Sequence, residues 1–162
     1  TRDLARAAGV SEPILYRHFA DKPGLFGAVI ESATDRILET LAETLPAGRG
    51  ASARLKALSE GLPGLLEQLK LELRVLSAGA QVEGEPSLTR LAGAAWRRVG
   101  LALGAGLRGT GLRRGVDATT AGFLLLQVGV GAAIVRPLPI PEMEGPVYRR
   151  KSLAILLRGL TN

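Results

Sequence analysis

The sequence has no cysteine, which excludes disulfide bridges, thiolate metal sites and a cysteine nucleophile. It has one histidine, His18, so no histidine cluster can hold a metal and no imidazole has a second beside it. Aromatics are scarce: three Phe, two Tyr and one Trp. Runs of alternating β-branched residues bounded by turn residues, the mark of strands, are nearly absent. The acidic residues form no pair suited to general acid–base work, and no cofactor motif survives scrutiny. The chain reads as one that binds and does not transform. What is present is 162 residues, 46% of them hydrophobic, enough for one domain or for a small head on a larger body.

The net charge of +6 invites a nucleic-acid reading, but the charge is unevenly placed. Residues 1–24 carry +1, residues 25–96 carry −2, and residues 97–162 carry +7. The surplus therefore lies in the last third. The chain opens Thr1-Arg2-Asp3 with no apolar run, so no secretory signal is visible and a cytoplasmic protein is expected. Ala118–Val135 is 18 residues without a charge, just short of the roughly 20 that a spanning helix needs. It contains Thr119, Thr120, Gln127 and three Gly, and reads as a helix buried between a core and a partner subunit.

Helical periodicity runs through almost the whole chain, so the expected fold is all-α. Leu4, Ala5 and Ala8 mark a short helix stopped by Gly9. Ser11 caps a second short helix, with Pro13 in its first turn. Asp21 caps a third through Leu25, Val29, Ala33, Ile37 and Leu41, ended by Pro46-Ala47-Gly48. Leu55 to Leu69 continue the pattern with a kink at Pro63. Leu71–Val82 is a further helix, and Leu88, Ala92, Ala95, Trp96, Val99 and Leu103 share one face of the next. Gly104–Gly115 reads as a glycine-dense break. Two helices, near 117–136 and 142–160, close the chain on either side of Pro137-Leu138-Pro139-Ile140-Pro141.

The first 26 residues hold three of the six aromatics, Tyr16, Phe19 and Phe26, and are coherent as a helix-turn-helix. Gly9 supplies the turn, Leu4, Ala8, Val10 and Leu15 bury the inner corner, and Glu12, Pro13, Ile14, Arg17 and His18 stay on or near the exposed face. A helix presented this way fits the DNA major groove.

The run Arg2-Asp3-Leu4-Ala5-Arg6-Ala7-Ala8-Gly9-Val10-Ser11, followed by Leu15-Tyr16-Arg17-His18-Phe19 and Asp21-Lys22, resembles the DNA-binding head of the TetR family of transcriptional regulators. Gly111-Leu112-Arg113-Arg114-Gly115-Val116-Asp117 resembles that family's lead into its dimerisation helices. The resemblance implies backbone or base contacts for Thr1 and Arg2, base reading for Glu12, Pro13 and Ile14, and phosphate contacts for Tyr16, His18 and Lys22. Arg17 could reach a guanine or a phosphate. Tyr16 divides between phosphate contact and head packing, and Glu12 between base reading and helix-start stabilisation. The family head has three helices and the sequence begins at the second. Gly24 replaces an acidic residue often found early in the following helix, which weakens that start.

Gly104-Ala105-Gly106-Leu107-Arg108-Gly109 matches the dinucleotide fingerprint G-x-G-x-x-G, but a helix precedes it and position 129 is Gly where an acid is required, so it is rejected. Gln81, Trp96, Phe123 and Gln127 are candidate linings of an effector cavity; Trp96 also reads as plain core. The combined expectation is a head over residues 1–24 and a ligand-binding and dimerisation body over 25–162. The chain is then a repressor that binds a near-palindromic operator as a homodimer through the last two helices and is released by a largely apolar effector. It needs no cofactor, no metal and no membrane. The alternatives are a helical small-molecule-binding or dimerisation module without DNA function, and a membrane-inserting protein built on Ala118–Val135.

Overall fold

In the computed structural model the described residues are 9, 11–19, 21–45, 57, 60, 61, 64–135 and 146–160. They form six helices: α1 Glu12–His18, α2 Lys22–Thr44, α3 Lys70–Gly79, α4 Pro86–Leu107, α5 Ala118–Val135 and α6 Pro146–Leu160. Residues 64–68 are helical as well, and no strand occurs among the described residues. The fold is all-α. The kink expected at Pro63, the stop at 46–48 and the connector 137–141 lie outside the described residues.

The long helix α2 starts where the sequence predicts. Asp21, extended at φ −156°, accepts a hydrogen bond from Gly24 N–H at 2.7 Å, which satisfies one of the donors left open at a helix start. A Cβ at position 24 would stand 3.1 Å from the Asp21 carboxylate oxygen. Gly24 leaves room for this tight cap, and the first turn of α2 carries no acid. The buried stripe of α2 is Leu25, Ile30, Ala33, Thr34, Ile37, Thr40 and Leu41. Val29 lies outside it, at 39% exposed. Thr34, fully buried, donates its hydroxyl to the Ile30 carbonyl at 2.6 Å, so no polar group is left open.

The central element is α4, which packs against α2, α3 and α5. Its inner face is Leu88, Ala92, Ala95, Val99, Gly100, Leu103, Gly104 and Leu107. The sequence predicts a break at Gly104, yet α4 continues through Gly104 and Gly106 to Leu107. Those glycines serve contact, not termination. A Cβ on Gly104 would lie 2.7 Å from the Ala118 carbonyl oxygen, and one on Gly106 2.9 Å from Leu45 Cδ1. The turn comes afterwards, at Gly109, Gly111 and Gly115, with φ of 71°, 73° and 90°, values that only glycine adopts readily.

Asp117 caps α5: its carboxylate accepts from Thr120 N–H at 2.9 Å and from the Thr120 hydroxyl at 2.6 Å. The Thr120 side-chain bond, then its backbone bond, hold the Asp117 carboxyl below its ordinary value. A depressed folded-state value contributes stability above the unfolded-state range, and that contribution is lost as pH falls through the folded value. Asp117→Ala is therefore expected to melt lower than the parent at pH 7, with the gap closing as pH drops below about 4. Thermal melts across pH 7 to 3 measure this, and a gap independent of pH contradicts it.

Two sets of ion pairs tie the outer faces of the helices. Arg98 on α4 forks to Glu31 and Asp35, one turn apart on α2, at 2.9 and 2.8 Å. Arg36 on α2 meets Glu72 on α3 at 3.1 Å. The exposed Arg98 pairs contribute little to stability, whereas Glu72 is largely buried.

Candidate nucleic-acid interface

Gly9 precedes α1 with φ 67°, the left-handed turn expected between the two helices of the motif. Ile14 N–H bonds the Ser11 carbonyl at 3.0 Å, which closes the first turn of α1. Pro13, Ile14, Arg17 and His18 are exposed, and Ile14 is 38% exposed, a high value for an isoleucine that packing alone would have turned inward. Phe19, just past the helix, is half-buried. Glu12 and Tyr16 fall on the same helix. Thr1 and Arg2 lie outside the described residues.

Lys22 is exposed at the first turn of α2, with its ammonium 5.8 Å from the Phe26 ring centroid, close enough for a cation–π contact that steadies the side chain. The Gly24 N–H at this helix start is already taken by Asp21. The cation at this helix start is therefore Lys22 itself.

The four pocket candidates do not converge. Gln81 is exposed just past α3, and its Nε2 donates to the Ser77 carbonyl at 3.2 Å. Gln127 is exposed on the outer face of α5. Trp96 and Phe123 are half-buried against the core, with the Phe123 ring seated where a Gly100 side chain would be. An apolar void of about 30 Å³ lies elsewhere, between α2, α4, α5 and residues 65–73, lined among others by Ile37, Leu69, Val99, Leu103, Leu125 and Leu126. It has room for a water or two. Periodicity marks these residues as core and carries no signal that a void remains among them.

Residues 1–29 match the model of the bacterial regulatory proteins of the tetR family. The fold as a whole matches a transcriptional regulator from Rhodococcus sp. Rha1 at a TM-score of 0.72 and 29% identity, over 98% of this chain and 83% of that one. The head is that of the TetR family. A second Rhodococcus sp. protein assigned to the TetR family shares the fold at a TM-score of 0.69 and 23% identity, over 99% and 87% of the two chains. The nucleoid occlusion factor SlmA of Escherichia coli strain HS is 30% identical over 125 residues, 77% of this chain. The match spans 63% of that relative's length. Among the described residues, no group of side chains could hold a metal ion and no helix is long and apolar enough to cross a membrane.

Proposed function

We propose that the chain is a ligand-responsive transcriptional regulator, a repressor, that binds a near-palindromic operator as a homodimer and is released by a small-molecule effector. One observation carries the DNA-binding part. A short helix turns Pro13, Ile14, Arg17 and His18 to solvent, directly ahead of a capped helix that bears Lys22. Residues at such a helix start reach base edges, and the flanking cations hold phosphates. In this reading residues 1–24 are the head and 25–162 the body, and Thr1, Arg2, Glu12 and Tyr16 belong to the same interface. The chain acts by binding, with no catalytic step.

The dimer reading is supported by apolar side chains left outside on the last two helices. Leu124 and Val128 of α5 flank Gln127, and Ile155 of α6 is 71% exposed. Two copies of α5 and α6 would cover these residues in a four-helix interface. The effector reading rests on the void in the body, whose lining is entirely apolar. A guest larger than the void must part α2 from α4 and α5, so it would favour a state in which α2 and its head have moved. Its differential affinity for that state sets the release.

Selection of bound duplexes from a random pool tests the reading. The expected product is a pair of half-sites related by a dyad, with centres about 34–36 Å apart. A pool with no enriched sequence contradicts the DNA-binding part, and a lone half-site contradicts the dimer. On the selected site, Arg17→Ala is expected to weaken binding by roughly 1–3 kcal/mol in a gel-shift titration. Unchanged affinity removes Arg17 from the interface.

A further inference from the structure

The face that α1 turns to solvent is divided along its length. Arg17 and His18 occupy its last turn, and Pro13 and Ile14 lie one turn before them. Pro13 and Ile14 offer hydrocarbon and nothing else. Proline carries no N–H, and the Ile14 N–H is already bonded to the Ser11 carbonyl at 3.0 Å. Their own carbonyls point along the helix axis toward the N–H groups of the next turn. Neither residue therefore has a donor or acceptor free to meet a polar group from outside. Both are nevertheless exposed, Ile14 to 38%.

The floor of the DNA major groove is almost wholly polar. Guanine O6 and N7, adenine N7 and thymine O4 accept, adenine N6 and cytosine N4 donate, and the one apolar group is the thymine C5 methyl. A side chain without polar atoms strips water from the edge it covers and returns no hydrogen bond, which costs affinity on every polar edge. On the methyl it gains, because the contact takes apolar surface of both partners out of water. Glu12, one residue earlier, ends in a carboxylate that accepts only, which matches a cytosine amino group and not a methyl. Arg17 on the same face and Lys22 at the start of α2 are exposed cations, suited to the phosphates that line the groove. An apolar pair flanked by cations thus fits a groove that has phosphates at its rims and a methyl on its floor.

Resting on the DNA-binding reading above, we infer that Ile14, with Pro13 beside it, reads the C5 methyl of a thymine in each half-site of the operator. The full chain selects its operator from the random duplex pool. Each thymine of the half-site is then replaced, symmetrically, by deoxyuridine, which lacks only the methyl. Gel-shift titrations are expected to find a thymine position at which the parent loses about fourfold in affinity per half-site, and about fifteenfold for both. Ile14→Ala is expected to bind the thymine operator more weakly than the parent, and to lose less than about twofold on the same replacement. Ile14→Val, which keeps the branch at Cβ, should fall between the two.

A parent indifferent to deoxyuridine at every thymine overturns the inference, and that result needs no variant to fold. So does an operator with no thymine in its half-sites. A methyl effect that Ile14→Ala leaves at full size also overturns it, because another side chain then touches the methyl. A pool that enriches no sequence removes the DNA-binding reading and this inference together, whereas an enriched operator without a methyl effect removes this inference alone.

Discussion

Gly122→Val is expected to destabilise the body by about 3 kcal/mol or more, the upper end for overpacking. A Cβ at position 122 would stand 2.5 Å from the Gly100 carbonyl oxygen and 2.7 Å from Gly104 Cα. Both are backbone atoms of α4, so no rotamer change can make room. The seam has other members of the same kind. A Cβ on Gly100 would meet the Phe123 ring at 2.5 Å, and one on Gly104 would meet the backbone of Ala118. Gly93, also on α4 but exposed with nothing near its missing Cβ, is the matched control. There Ala should stabilise by roughly 0.5–1 kcal/mol through helix propensity. Urea unfolding of the two variants measures both, and a loss below about 1 kcal/mol for Gly122→Val would contradict the seam.

Ile37→Ala is expected to cost about 3 kcal/mol and to turn the small void into a guest-binding cavity. Ile37 is 1% exposed and already lines the void with Leu41, Val99 and Leu103. Removing three carbons there adds space to space, and an apolar lining keeps the enlarged cavity dry. Benzene should therefore raise the melting temperature of the variant and leave the parent nearly unchanged, since only the variant's folded state gains a ligand. Equal shifts in both proteins would show that the cavity is open to guests without the substitution. No shift in either would show that the core collapses around the deletion.

The elements that the sequence placed well are those whose signals are local. Asp21 announces α2 because capping needs only residues three apart, and Leu88 to Leu103 trace the inner face of α4 through their own spacing. The exposed face of α1 at Pro13, Ile14, Arg17 and His18 was legible for the same reason. Gly104 and Gly106 were misread because glycine means a break when seen alone and a close approach only when its partner is known. Those partners, Ala118 and Leu45, are remote in sequence. Gln81 and Gln127 were assigned to a pocket on residue type, while burial is decided by which side of a helix meets its neighbours. The +7 of the last third was countable from the start. That Arg113 and Arg114 of the loop lie beside the last turn of α6 became visible only through the bond from Arg113 to Leu160.

The single rod of α2 also acts as a lever. It is seated against Gly106 at one end, clamped by Arg98 near its middle and continuous to Lys22 at the other. With an arm of about 34 Å, a tilt of about 5° pivoting at the seat swings α1 by roughly 3 Å. Such a displacement is comparable to the rise of one base pair, so an angular change too small to disturb the core is enough to put a reading head out of register.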